Sequence, residues 1–407
     1  MKVCLVSALY PPLEIGGAET AARRLAERLA AGGWEVCVLT GWHRDESDVL
    51  PSGVRVRRIR AGWVFKKGAD RLPPLPRWFW RLQNLWNPTA FRKARRVLAE
   101  ERPRLVLVHN FSGLSPAVFD AALALKVPAV FFAHDYFPLC RHYSFERKGK
   151  PCRGHCPACG LWARWNRRWL ERTPTVFLSE HSRSVYRRHG HAGESLLWPN
   201  PVDLDAGQIA AIEAEKASFR SRAPGLTVSW LFMGRLDALK GVEAVMRAWE
   251  RLTPPAPRLL IAGDGPLAAK VRAWAAGRPE VEWLGYVSGD EKRRCLIAAD
   301  ALLLPSRETD VSPLVLPEAL AHGIPVLAAE RGAAAESLRP GLTGWLCDVG
   351  DAGGLAQRVA GISADPSALR AMSAACFAAA RERTYEAALS RLMDFLRRAA
   401  DRAGRSA

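Results

Sequence analysis

The chain has 407 residues, with 59 Lys and Arg against 41 Asp and Glu, for a formal charge of +18. That length supports two domains with separate cores, and no apolar run reaches the roughly 18 residues of a membrane-spanning helix. A positive excess of this size favours an anionic partner: nucleic acid, a membrane surface or a phosphorylated substrate. The opening MKVCLVSALYPP is too short for a signal peptide and reads as a first strand. Nine cysteines without an export signal imply a reducing, cytoplasmic setting.

The charge is unevenly spread. Between Arg55 and Arg104 fifteen cations face three acids, a net of +12. Between Arg141 and Arg188 twelve face three, a net of +9. The basic surface therefore belongs to the N-terminal half, and the rest is near neutral.

In chain order, Lys2 to Ala8 is an apolar strand, and Leu9 to Gly17 is a turn-rich loop. Ala18 to Ala31 is a helix stopped by Gly32-Gly33, and Glu35 to Thr40 is the next strand. Further strands are expected at 54–59, 105–109, 128–133, 175–178 and 196–198, with helices between most of them. Asn200 to Asp205 reads as a domain exit, followed by a polar helix from Asp205 to Ser218. The pattern then restarts, with strands at 227–233, 258–262, 281–284, 301–304, 324–328 and about 344–347. A helix is expected from Leu239 to Arg251, and helices close the chain from Asp351. Strands alternating with helices predict parallel sheets covered on both faces, in two Rossmann-like units. The domains are expected at 1–200 and 201–384.

Candidate ligand loops lie where strands run into helices, at the carboxyl edge of such sheets. Gly16-Gly17 follows the first strand, and glycines let a backbone approach a phosphate closely. This loop is not a GxGxxG fingerprint, which argues against a dehydrogenase. Gly234-Arg235-Leu236 and Lys240-Gly241 flank a strand-to-helix loop in the second unit, so two cations stand where a diphosphate would leave. Gly263-Asp264-Gly265-Pro266 and Gly285-Tyr286-Val287 are further turns of this kind. The stretch from Ala301 to Ala328 reads strand, loop, helix, strand, with Pro313 in the first helical turn and Gly323 as the stop. Asp310 and Glu318 bracket that helix start, whose free N–H groups suit an anionic ligand, and Ser312, Pro313 and Leu314 beside it are donor-binding candidates. His109 and His134 each end a strand in the first unit.

Three features are less tied to this pattern. Cys140, Cys152, Cys156 and Cys159, spaced C-x11-C-x3-C-x2-C, offer four soft ligands for a structural zinc; four ordinary loop cysteines is the other reading. Trp63, Phe65, Trp78, Phe79, Trp80, Trp86 and Phe91 interleave with cations, which suits a membrane interface, an acceptor groove or single-stranded nucleic acid. Asp203-Leu204-Asp205 spells D-x-D but sits in the domain exit and reads as chance.

Several of these loops together resemble one family. Asp310, Glu318-Ala319 and Gly323-Ile324-Pro325-Val326 resemble the E-x7-E signature of retaining GT-B glycosyltransferases of glycosyltransferase family 4, with Asp310 at the first Glu. The run from Phe232 to Gly241 resembles the family's F-x-G-R-L-x3-K-G stretch, and Gly16-Gly17 its Gly-Gly loop. The resemblance implies an α/β GT-B fold, two Rossmann-like domains facing each other across a cleft, the last helix, 385–401, crossing back to the first. It also implies transfer of a sugar from a UDP- or GDP-sugar to a hydroxyl of a carbohydrate or lipid-linked acceptor, with retention of configuration. Arg235 and Lys240 then hold the pyrophosphate, Glu318 the ribose, Asp310 and His134 the sugar hydroxyls. Gly234, Gly263, Gly265, Tyr286 and Val287 line the donor, the last two at the nucleobase. The family works without a catalytic metal. Cell-surface polysaccharide, lipopolysaccharide or glycolipid synthesis is the expected setting, with the protein peripheral on the inner face of an anionic membrane. No nucleic acid is expected, because binding it would leave Arg235, Lys240 and Glu318 unexplained.

Overall fold

A computed structural model describes the chain apart from residues 14–15, 63–73, 148–149, 153, 222–226, 307–309 and 406–407, and apart from the side chains of 74–79, 146–147, 150–151 and 403–405. The chain divides into two compact units, Met1–Pro199 with Leu389–Ala407, and Asn200–Ala388.

The N-terminal unit runs β1 (Lys2–Ser7), α1 (Gly17–Ala31), β2 (Glu35–Gly41), β3 (Glu46–Val49), β4 (Arg55–Ile59), α2 (Pro74–Leu85), α3 (Pro88–Glu101), β5 (Leu105–Val108), α4 (Ala117–Ala124) and β6 (Ala129–Ala133). The strand pair β7 (Glu146–Arg147) and β8 (Lys150–Pro151) follows, then α5 (Pro157–Leu170), β9 (Thr175–Phe177), α6 (Glu180–Arg188) and β10 (Ser195–Leu197). The sheet order is β10-β9-β6-β5-β1-β2-β4-β3. Every pairing is parallel except β3 on β4. Val3 to Val6 and Leu105 to Val108 are fully buried, as strands covered on both faces must be. The edge strand β3 was not expected: Glu-Ser-Asp-Val carries no apolar alternation, and an edge strand needs none.

The second unit runs α7 (Ala206–Ser221), β11 (Ser229–Met233), α8 (Val242–Trp249), β12 (Arg258–Ala262), α9 (Ala268–Ala275), β13 (Val281–Gly285), α10 (Gly289–Ala298) and β14 (Ala301–Leu304). It continues with α11 (Val315–Ala321), β15 (Val326–Ala329), α12 (Ala333–Ser337), β16 (Gly344–Cys347), α13 (Ala352–Ser363) and α14 (Pro366–Arg381). Its sheet is wholly parallel, ordered β13-β12-β11-β14-β15-β16. The last helix, α15 (Tyr385–Arg405), falls mostly in the N-terminal unit. There Asp401 pairs with Arg104, and Arg402 with Glu194 at 2.6 Å.

Both sheets are doubly wound. In the first, the chain leaves β1 for β2 on one side and returns to β5 on the other. In the second, β11 is flanked by β12 and β14 in the same way. A crevice opens at the carboxyl end of such a switch point, where ligands of open α/β sheets bind.

Two of the boundaries that shift lie at the candidate ligand loops of the second unit. Helix α8 begins at Val242 rather than Leu239, because Gly241 is its cap in a left-handed conformation, φ 75°. Helix α11 begins at Val315, with Leu314 as cap, so Pro313 lies just outside the first turn rather than within it. Pro317 occupies the first turn instead, where its missing N–H costs nothing.

Candidate functional site

In the second unit the loops after β11, β12 and β14 are pressed together. The Gly234 N–H donates to the Ala262 carbonyl at 3.0 Å, and the Leu236 N–H to the Asp264 carbonyl at 2.9 Å. Gly263 has a φ of 153°, and a Cβ there would sit 1.9 Å from the Gly234 oxygen. Gly263 is therefore glycine because two loops touch at its α-carbon. Gly265 meets Leu236 in the same way.

Asp237 fixes the next turn. Its Oδ1 accepts the Leu239 and Lys240 N–H groups, each at 3.0 Å, and its Oδ2 accepts the Arg235 guanidinium at 2.5 Å. At Gly241 a Cβ would fall 2.2 Å from the Pro305 carbonyl oxygen, so this turn sits directly on the loop leaving β14. Adjacency of β11 and β14 thus brings Lys240 to Asp310, and the two form an ion pair. Arg235 remains more than half exposed.

Glu318, one turn into α11, accepts a hydrogen bond from Lys292 of α10 at 2.7 Å. His322 donates from Nδ1 to the Glu318 carbonyl at 2.8 Å, and burial lowers its pKa to about 4, so the ring is neutral. Asn200 donates to the Ser312 carbonyl at 3.1 Å. Tyr286 stands 76% exposed at the end of β13, while Val287 is buried. The two expected cations are thus present, but each already faces a carboxylate. Asp237, Lys292 and Asn200 were not read from the sequence. Asp237 had a legible signal, an Asp two and three residues before the amides it caps; Lys292 had none, since its partner lies on another helix.

The N-terminal unit builds a second cluster at its own switch point. Gly16 caps α1 in extended conformation and Gly17 is its first residue. Glu19 in that first turn is 2% exposed, and Asn110, just past β5, donates to it at 3.4 Å. His109 Nδ1 and His134 Nε2 lie 2.8 Å apart. The His109 ring stacks on Phe132 with centroids 4.2 Å apart. Burial lowers the His134 pKa to about 4, and burial with the neighbouring ring lowers that of His109 well below the ordinary range. Both rings are neutral, so one proton lies between them. His109 Nε2 is buried without a hydrogen-bond partner. A bare nitrogen there avoids stranding a buried N–H, which assigns the shared proton to His109 and leaves His134 protonated at Nδ1.

Of the four loop cysteines, Cys140 and Cys159 are buried, Cys156 is half-buried and Cys152 is exposed. Burial, with Cys140 nearby, pushes the Cys159 thiol up to about 12, while hydrogen bonds from Cys159 lower that of Cys156. Three of the four are thus neighbours. Among the described residues no group of three or more His, Cys, Asp or Glu side chains is arranged to hold a metal. Of the aromatic run, Trp63 and Phe65 and the side chains of Trp78 and Phe79 lie outside the described residues.

Residues 227–365 match the family model described as glycosyl transferases group 1, and residues 15–206 match glycosyltransferase family 4. The chain belongs to the family 4, group 1 glycosyltransferases. Among relatives, this glycosyltransferase is 27% identical to an uncharacterised 42.6 kDa protein in the cps region of Klebsiella pneumoniae, over 40% of this chain and 44% of that protein. It is 28% identical to the glycogen synthase of Mycobacterium tuberculosis, over 90% of this chain and 87% of the relative. Among solved structures, sucrose-phosphate synthase from Thermosynechococcus elongatus superposes with a TM-score of 0.75 at 19% identity, covering 98% of each chain. Anabaena HepE, solved with UDP and glucose, superposes with a TM-score of 0.70 at 17% identity, covering 97% of this chain and 99% of that one. These likenesses show the fold, a GT-B glycosyltransferase with two parallel-sheet α/β units.

Proposed function

We propose that this glycosyltransferase moves a sugar from a UDP- or GDP-sugar to a hydroxyl acceptor with retention of configuration. The observation that carries the reading is the cluster at the β11–β14 switch point: Arg235 and the Lys240–Asp310 pair on touching loops, with Glu318 on the helix that follows. Arg235 and Lys240 bind the diphosphate and offset its charge as the glycosidic bond breaks, so no catalytic metal is required. Lys240 keeps Asp310 oriented for a sugar hydroxyl, although Asp reaches one methylene less far than Glu. Glu318 takes the ribose. Tyr286 and Val287 border the nucleobase, and His134 offers a hydrogen bond to the sugar from Nδ1. The likeness to a glycogen synthase and to a structure solved with UDP and glucose supports a carbohydrate product and a nucleotide-sugar donor.

The test is turnover of a panel of nucleotide sugars with hydroxyl acceptors, the product's anomeric configuration being read by NMR. Retention is expected. An inverted product contradicts the retaining mechanism, and release of nucleoside diphosphate without acceptor glycosylation makes the protein a hydrolase. Salt-dependent binding to nucleic acid without any nucleotide-sugar binding contradicts the whole reading.

A further inference from the structure

The backbone on either side of Arg235 is fixed. Gly234 and Leu236 donate their N–H groups to the carbonyls of Ala262 and Asp264. Leu236 is fully buried, and its own carbonyl accepts the Leu267 N–H at 2.9 Å. The Asp237 N–H turns back onto the Arg235 carbonyl, also at 2.9 Å. What remains to be placed is the Arg235 side chain, more than half exposed on a long, rotamer-rich stem. Among the described residues, Asp237 is the one hydrogen-bonding or ionic partner of that side chain.

The two carboxylate oxygens of Asp237 have separate tasks. Oδ1 accepts the Leu239 and Lys240 N–H groups and closes the turn that leads into α8. Oδ2 accepts from Nε of Arg235. The Asp237 side chain is only 13% exposed, and with Oδ1 tied to two amides its direction is set by the backbone. A guanidinium carries five N–H donors in a planar fork. Engaging Nε–H alone leaves the four N–H bonds of the terminal nitrogens, on the edge that matches two oxygens of a phosphate group.

We propose that Asp237 is a positioning residue of the diphosphate site. Its backbone-fixed carboxylate holds Arg235 by Nε, so that both terminal nitrogens face paired oxygens of a nucleoside diphosphate. The inference rests on the assignment of Arg235 to the diphosphate, and adds a residue that itself touches neither substrate nor reacting atoms. Fixing the side chain beforehand reduces the rotamer freedom lost when the anion binds. The opposing effect is repulsion between the Asp237 carboxylate and the diphosphate. Two amides and the guanidinium already face that carboxylate and weaken the repulsion.

Asparagine separates the two tasks. Asp237→Asn keeps an oxygen for the Leu239 and Lys240 amides but removes the charge that holds Arg235. Calorimetric titration of UDP and GDP, alongside melting curves, is run on wild type, Asp237→Asn, Arg235→Ala and the double variant. In the wild-type background Asp237→Asn is expected to weaken binding of the accepted nucleotide about tenfold, with the melting temperature unchanged. In the Arg235→Ala background it should change affinity by less than about twofold, because Asp237 acts through Arg235. Asp237→Ser, whose hydroxyl still offers the amides an oxygen, takes its place if the Asn variant does not fold. Unchanged affinity, or equal weakening in both backgrounds, overturns the proposal and leaves Asp237 a turn residue. Tighter binding by Asp237→Asn also overturns it, and makes the carboxylate a counter-charge that the diphosphate must displace. Wild-type protein that binds neither nucleotide overturns the reading of the site itself, and the proposal with it.

Discussion

His109 shows how a residue outside the recognised motifs can govern one inside them. Its Nδ1 occupies His134 Nε2, so any ligand of His134 must use Nδ1. Asn places a donor close to where His109 carries Nδ1, and Leu does not. His109→Asn is therefore expected to keep turnover within about threefold, while His109→Leu lowers it about tenfold or more, the low end for a misplaced hydrogen-bonding group. Kinetics alongside melting curves check this: equal loss in both variants, tracking stability, would reduce His109 to packing. The pairing was invisible in the sequence, where the two histidines stand 25 residues apart on strands whose adjacency only the sheet order supplies. The same holds for Lys292 on Glu318 and Asp310 on Lys240. The residue types and their carboxyl-edge loops were legible; which charge faces which was not.

At the scale of elements, the glycine turns carry a structural demand that the motif reading understates. Gly263→Ala would drive a methyl into the Gly234 carbonyl at an unfavourable φ. It should cost about 2 kcal/mol or more, by denaturant titration, and weaken nucleotide binding as the loops part. A cost of a few tenths would mean that the loops are not pressed together. The cysteine loop makes a second case. Zinc at Cys140, Cys152, Cys156 and Cys159 requires the loop to rearrange, since among the described residues no three such side chains are arranged to hold a metal. Protein purified under reducing conditions should then carry about one equivalent of zinc by elemental analysis; none would leave four loop thiols. The strands were readable because strands buried on both faces show as short apolar runs. The polar edge strand β3 and the start of α11 were not, since edge pairing and cap geometry leave no such trace.

For the whole molecule, neutral histidines set an acid limit. His134 and His322 have pKa values lowered from 6.5 to about 4, and burial with the neighbouring ring holds that of His109 well below its ordinary value. The unfolded chain binds more protons between those limits, so stability is complete above about pH 6.5 and falls as the pH drops toward 4. A fully expressed shift at His134 alone corresponds to roughly 3 kcal/mol. Chemical denaturation from pH 7.5 to 4 should show this slope, and His322→Gln should flatten it. The account as a whole rests on a diphosphate bound by Arg235 and Lys240 in the second unit. Calorimetric titration of UDP and GDP into wild-type protein and into Arg235→Ala and Lys240→Ala tests it most directly. Saturable binding of one nucleotide by the wild type, weakened about tenfold or more by either substitution with folding intact, is the predicted result. Equal affinity in wild type and both variants would contradict it.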